Sequence, residues 1–171
     1  SIYYVIIPLL VSGALVFTSS QLIDLVHSYD PDASADLIRR AYIFAMESHG
    51  MQKRASGSPY FYHPAEVARI LAGLHMDVAT VITGLLHDVI EDTNASFEEV
   101  GEIFGTEIAF LIEGVTKLSK ISYTSSKVRQ AENFRKFLMA ITQDIRVLVV
   151  KLVDRLHNMR TLEYKKEFKQ K

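Results

Sequence analysis

Residues 87 to 92, His-Asp-Val-Ile-Glu-Asp, place an imidazole and three carboxylates within six positions. On a helical wheel of about 100° per residue, His87, Asp88, Glu91 and Asp92 share one arc of roughly 140°, opposite Ile82, Leu85, Leu86 and Val89. Gly84 falls inside the polar arc, where the lack of a side chain would let another group approach. For a helix on its own, a solvated face explains such a cluster equally well. A second stripe changes the balance. On a helix over residues 145–162, Lys151, Asp154, Asn158 and Thr161 lie within roughly 80° of one another, opposed to an apolar stripe of Ile145, Leu148, Leu152, Leu156 and Met159. If the two polar faces meet, their carboxylates repel unless a cation lies between them, and a divalent metal is the simplest resolution. His63, immediately before Pro64, can project into the same cleft. Together His63, His87, Asp88 and Asp154 form a nitrogen and oxygen set suited to manganese, iron or zinc. Four protein ligands leave a position for water or substrate only on a five- or six-coordinate ion, which favours manganese or iron over a closed tetrahedral zinc. His27, His49 and His75 have no acidic partner at a telling spacing and are assigned structural or surface roles. His157 lies beside the polar stripe, and its role is left open.

The elements that must position these groups are helical. Beyond Ser20 apolar residues recur at helical spacing almost to the end, and no alternating run is long enough for a sheet, so the fold class is all-α. Asp30-Pro31 has the form of an N-cap followed by a first-turn proline, opening a helix to about Ser48. Residues 50–62, with Gly57 and Pro59, form a loop. Pro64 restarts a helix to about Ala72, and Asp77 caps one running to Ile90. Ser96 and Glu99 make a capping-box pattern for a short helix that breaks near Gly105. Further helices are expected over about 106–118, 128–141 and 145–162.

The bulk composition bounds the function. The 171 residues carry 19 Lys and Arg against 20 Asp and Glu, which argues against a protein that coats nucleic acid through its overall field. An anionic ligand would be small and locally bound. With no cysteine, thiolate metal sites, disulfides and a cysteine nucleophile are excluded. The 49% apolar and 23% charged composition fits one globular domain, taken as residues 20–171. Residues 1–19 read separately. Residues 2–17 are almost wholly apolar, but the run is shorter than the roughly 20 residues of a spanning helix and is interrupted by Pro8 and Gly13. A buried or appended segment, a membrane tether on a cytoplasmic protein and a cleaved signal are the three readings open here.

The motifs resemble a known family. HGMQKRASGSPYFYHP (His49 to Pro64), GLLHDVIEDT (Gly84 to Thr93), FGTEIAFLIEGVTKL (Phe104 to Leu118), QAENFRKFLMA (Gln130 to Ala140) and DIRVLVVKLVDRLHNMRTL (Asp144 to Leu162) resemble, in order, the hydrolase domain of the RelA/SpoT homologue family. The resemblance covers about residues 21–164. It implies an HD-domain helical bundle with the metal site in a cleft between helices. The implied reaction is manganese-dependent removal of pyrophosphate from the ribose 3′ position of ppGpp and pppGpp, leaving GDP or GTP. By the same resemblance His63, His87, Asp88 and Asp154 are the metal ligands. Glu91 and Asp92 are the acidic pair serving catalysis, with their division of labour undecided. Arg54 matches the position that stacks on the guanine, and Ser56, Asn158 and, more weakly, Thr161 match nucleotide contacts. Lys53, Lys151 and Arg155 suit either phosphates or solvent.

Two departures accompany the match. The chain stops soon after Asp154, without the synthetase domain of bifunctional members, so no synthesis is expected of it. Val153 stands where the family motif usually has alanine. Two rival readings follow: an HD phosphohydrolase for another nucleotide, which would give the RASGSPY loop no reason to match, and a domain that binds alarmone or a partner without turnover.

Overall fold

A computed structural model describes residues 17–55, 57–121 and 127–168, the last seven of them as helical backbone only. The described elements are α1 (Ser19–His27), α2 (Ala35–His49), α3 (Tyr62–Gly73), α4 (Val78–Leu86), α5 (Val89–Asp92), α6 (Phe97–Phe104), α7 (Thr106–Ser119), α8 (Lys127–Gln143) and α9 (Ile145–Phe168). The all-α expectation holds, and the one β-type feature described is an isolated bridge between Lys53 and Pro59 in the loop before α3.

The centre of the bundle is α4. Thr80 to Leu86 are all buried, because α3, α2, α7 and α9 pack around this short helix on every side. A helix apolar all round is a core helix, and at nine residues it is far too short to span a bilayer. Gly84 makes the tightest contact possible. A Cβ there would lie 2.6 Å from Leu71 Cδ1 and 3.4 Å from Ala68 Cα, so the missing side chain admits α3 on the apolar side and not a group in the polar cleft. Gly114 does the same for the α7 and α9 crossing, where a Cβ would meet Val147 Cγ2 at 2.7 Å.

Several boundaries differ from the sequence expectation. Asp30 does not open α2; its N–H bonds Val26 O at 2.8 Å and closes the end of α1, so the cap passes to Ser34, whose hydroxyl accepts from Leu37 N. Helix α3 begins at Tyr62, so His63 lies inside its first turn, where Pro64 sacrifices no helical hydrogen bond. The helix expected from Asp77 to Ile90 breaks at His87 and Asp88, the latter at φ −92° and ψ −11°. Ser96 caps α6 as expected, accepting from Glu99 N at 3.1 Å.

Helix α9 presents a different face to the core. Val147, Val150 and Val153 are buried, while Ile145, Leu152, Leu156 and Met159 are 40–59% exposed. Asp154 lies seven residues from Val147 and four from Val150, so it shares their inward face.

The expectation of a membrane tether is corrected. No helix among the described residues is long and apolar enough to cross a membrane. The segment 2–16 on which the tether rested lies outside the described residues.

Arg146 ties three helix starts together. Its guanidinium donates to Asp77 before α4 (2.8 Å), Glu107 in the first turn of α7 (2.8 Å) and Asp144 before α9 (2.7 Å). Those hydrogen bonds hold the Asp144 carboxyl below its ordinary pKa. Because Asp77 is nearly half exposed and Glu107 more than half, solvent screens their share, and most of the effect belongs to the Asp144 pair. Arg146→Met is expected to cost about 1–2 kcal/mol at pH 7 in urea melts. A depressed carboxylate stabilises the fold above its unfolded pKa near 4, and that stability is lost as pH falls through the folded value. The gap between variant and wild type should therefore narrow on acidification from pH 5 to pH 2.5, and a gap constant across that range would contradict the assignment.

Candidate metal centre

Three elements converge on the cleft. The first turn of α3 supplies His63, the α4 to α5 break supplies His87 and Asp88, and the inward face of α9 supplies Asp154. The His63 Nε2 atom is 2.7 Å from Asp154 Oδ1 and 3.6 Å from Asp88 Oδ2. His87 Nε2 is 3.2 Å from Asp88 Oδ1 and 3.6 Å from Asp154 Oδ1. Ligand atoms of His63, His87 and Asp88 all lie within 4.8 Å of one another.

The tautomer of His87 is set locally. Its Nδ1–H donates to Gly84 O at 2.7 Å, one turn back along α4. Nε2 is buried and has no hydrogen-bond partner. A fully buried polar nitrogen without a partner is costly, and here it points at two carboxylates. A cation at this place would satisfy the nitrogen and the acids together, so the donor set fits a divalent metal on its own chemistry.

The electrostatics agree. Burial opposes a charge on His87, but Asp88 and Asp154 outweigh it and raise its pKa to about 10. For Asp88, burial pushes upward, and His87 and His63 overcome it to bring the carboxyl down to about 2. Asp154 likewise resists burial. The hydrogen bond with His63, the neighbouring His87 and the Lys151 ammonium hold it well below the carboxylate range, the Lys151 Nζ lying 2.8 Å from Oδ2. The site demands positive charge beside its two acids, from protons or from an ion.

The cleft in front of these groups has a volume of about 590 Å³. It is lined by the acids Asp88, Glu91, Asp92 and Asp154 and by the cations Lys53, Arg54 and Lys151. Arg54 is fixed by Asn158, whose Oδ1 accepts from Nη2 at 2.5 Å, and the Asn158 amide in turn donates to Asp154 Oδ1 at 3.1 Å. Thr161 lines the same space, its hydroxyl donating back to the α9 backbone. The structure thus gathers nine of the ten expected residues, and Ser56 lies outside the described residues.

Glu91 and Asp92 are held differently. The Tyr60 hydroxyl lies 2.7 Å from Asp92 Oδ2 and 3.2 Å from Asp88 Oδ2, and Gln52 Nε2 donates to Asp92 O at 2.9 Å. Glu91 faces the cleft, and burial together with Asp88 raises its pKa.

Sequence reasoning missed two participants. Tyr60 sits in the loop stretch SPYFYHP three residues before His63, a position whose value depends on the loop folding back over α5. His157, left open above, stands one turn from Asp154 on α9; its Nδ1 is 2.7 Å from His63 Nδ1, and the two rings are nearly parallel with centroids 4.9 Å apart. Burial, with His63 and Arg54 close by, brings its pKa down to about 4. His27, His49 and His75 are structural. His27 bonds Ala33 O, His75 stacks on Tyr29, and buried His49 stacks beneath Tyr60 at 4.7 Å.

Comparison with known proteins matches these features. A family model described as HD domain covers residues 41–171. The GTP pyrophosphokinase rsh of Brucella ovis is 55% identical over 149 residues, which are 87% of this chain and 20% of that protein. The bifunctional (p)ppGpp synthase/hydrolase SpoT of Escherichia coli K12 is 47% identical over 147 residues, 86% of this chain and 21% of that protein. The chain therefore spans about a fifth of the length of the curated relatives it matches. Among solved structures, a metazoan orthologue of SpoT, described as hydrolysing ppGpp and playing a role in starvation responses, superposes with a TM-score of 0.61 at 32% identity. That match covers 77% of this chain and 72% of the other. With a buried His87-Asp88 pair beside a carboxylate-lined cleft and this similarity to those proteins, the chain belongs to the RelA/SpoT homologue family, as its HD domain.

Proposed function

We propose that this chain hydrolyses the 3′-pyrophosphate of ppGpp and pppGpp to GDP or GTP and pyrophosphate, with manganese as cofactor. The observation that carries the reading is the cluster of His63, His87 and Asp88, with Asp154 Oδ1 within 3.6 Å of both histidines, beside a cleft that also carries Lys53, Arg54 and Lys151. Cations beside acids that can hold a metal suit a phosphorylated substrate. The relatives named for SpoT, and the metazoan orthologue named for ppGpp hydrolysis, support the guanine nucleotide as substrate.

The proposed ligands are His63 and His87 through Nε2, with Asp88 and Asp154 through carboxylate oxygens. Bound there, the ion supplies Lewis acidity toward a phosphoryl oxygen and lowers the pKa of water beside it. Manganese, with five or six partners, leaves positions for both. Glu91 is the proposed general base. Its raised pKa and its place at the cleft suit it to take the proton of a water that attacks the phosphorus on the 3′ oxygen. The phosphorus to 3′-oxygen bond breaks, and that oxygen leaves as the ribose hydroxyl once it regains a proton. Asp92, engaged by Tyr60 and Gln52, orients rather than abstracts. Arg54, fixed by Asn158, offers a planar face for the guanine. Asn158 and Thr161 border the nucleotide, and Ser56 keeps the contact role implied by resemblance.

Incubation with ppGpp and manganese, following pyrophosphate release, tests the reaction. Asp88→Ala should abolish turnover, Glu91→Gln should lower kcat by about 10²-fold or more, and Arg54→Ala should act mainly on KM. Wild type releasing no more pyrophosphate than Asp88→Ala would sink the proposal in favour of binding without turnover.

The ion must also compete with a proton. With the His87 pKa near 10, its Nε2 holds a proton at neutral pH, and raising the pH removes that competitor. Manganese affinity should therefore rise with pH, by up to about tenfold per unit between pH 6.5 and 8.5, with proton release seen as buffer-dependent heat in calorimetry. An affinity flat across that range would show that the ion displaces no proton from His87.

A further inference from the structure

His63 engages groups through both ring nitrogens. Its Nε2 faces the carboxylates, 2.7 Å from Asp154 Oδ1, and its Nδ1 faces His157 Nδ1 at 2.7 Å. A neutral imidazole carries one N–H. A cation on Nε2 uses that nitrogen's lone pair, so the proton must sit on Nδ1. A contact of 2.7 Å between two nitrogens holds one proton, and with His63 donating, His157 has to accept. In metal sites of this kind the second nitrogen of a ligating histidine ordinarily meets a carboxylate, a backbone carbonyl or water. Here it meets another imidazole.

We propose that His157 is a positioning residue for the metal centre: its Nδ1 accepts the Nδ1–H of His63 and holds that ring in the tautomer whose Nε2 can bind a cation. The inference rests on the metal-centred reading of the site given above. The geometry makes His157 well suited to the task. It stands on α9 three residues beyond Asp154, so one helical turn carries both a proposed ligand and the group that orients another. Its ring lies nearly parallel to that of His63 at 4.9 Å, which restricts rotation of both. His157 then carries its own proton on Nε2, away from His63. The two histidines of the proposed ligand set are thus fixed in the same tautomer by different means: His87 by the carbonyl of Gly84, His63 by the ring of His157.

The role requires an acceptor, not merely a ring. Binding of manganese to the full chain, followed through the paramagnetic resonance signal of the free ion, compares wild type with His157→Gln and His157→Phe. Glutamine retains a carbonyl oxygen that can accept the bond, and phenylalanine retains the stacking surface without one. His157→Phe should weaken binding by about 10- to 100-fold, and His157→Gln should stay within about threefold of wild type. Helical circular dichroism checks that each variant folds. An independent readout is nitrogen NMR of the histidine rings with zinc as a diamagnetic ion: His63 Nδ1 should be protonated and His157 Nδ1 should not. Should His157→Phe fail to fold, that tautomer measurement decides alone. Equal affinity in His157→Phe and wild type, equal loss in both variants, or a protonated His157 Nδ1 would each overturn the inference while leaving the metal site standing. Wild type that binds neither ion would overturn the metal reading, and this inference with it.

Discussion

Two carboxylates, Asp88 and Asp154, lie where water scarcely screens them, with side chains 15% and 7% exposed. Everything around them answers the resulting need for positive charge or hydrogen bonds. Nε2 atoms of His63 and His87 close in from α3 and the end of α4, Lys151 bonds the far oxygen of Asp154, and Asn158 bonds the near one. Removing acids from water is costly unless they are paired and hydrogen-bonded. The bundle therefore cannot move α9 away from α3 and α4 without stranding a buried charge. Gly84 serves this constraint by letting α3 and α4, which carry His63 and His87, approach closely, and Gly114 seats α9 against α7.

The sequence made the ligand types legible more readily than their geometry. Composition and spacing alone brought His63, His87, Asp88 and Asp154 together as a candidate set, because a cluster of acids on two helices has few low-energy explanations. Which face of α9 turns inward was not legible. That helix has two apolar stripes, one of valines and one of leucine, isoleucine and methionine, and a wheel weighs the larger side chains more heavily. The valine stripe faces the core because Asp154 shares it and the site requires Asp154 inside. A buried charge overruled the more hydrophobic face.

The break between α4 and α5 was hidden for a related reason. Residues 77 to 90 have unbroken helical periodicity, and both His87 and Asp88 keep αR backbone angles. What ends α4 is the imidazole itself, whose Nδ1–H occupies Gly84 O. A side chain competing with the backbone for a carbonyl leaves no trace in hydrophobic pattern. The choice between Asp30 and Ser34 as the cap of α2 has the same character: both residue types are suited, and the hydrogen bond that Asp30 already makes to α1 decides.

The outer layer of the site shows why its participants escape pattern reading altogether. Tyr60 and Gln52 come from the loop before α3 and belong to no periodic stripe, while His49 ends the buried stripe of α2. They act through contacts across the fold: His49 stacks under Tyr60, Tyr60 reaches Asp92 and Asp88, and Gln52 bonds the Asp92 carbonyl. The Tyr60 hydroxyl has one proton for two carboxylates, and it lies closer to Asp92. An ion on Asp88 would leave that proton to Asp92, pinning the acid that the proposed mechanism uses for orientation and leaving Glu91 as the acid with freedom to exchange protons. In the proposed mechanism the two neighbouring carboxylates would then be told apart by a tyrosine some thirty positions away, through a bond that only the folded loop can make.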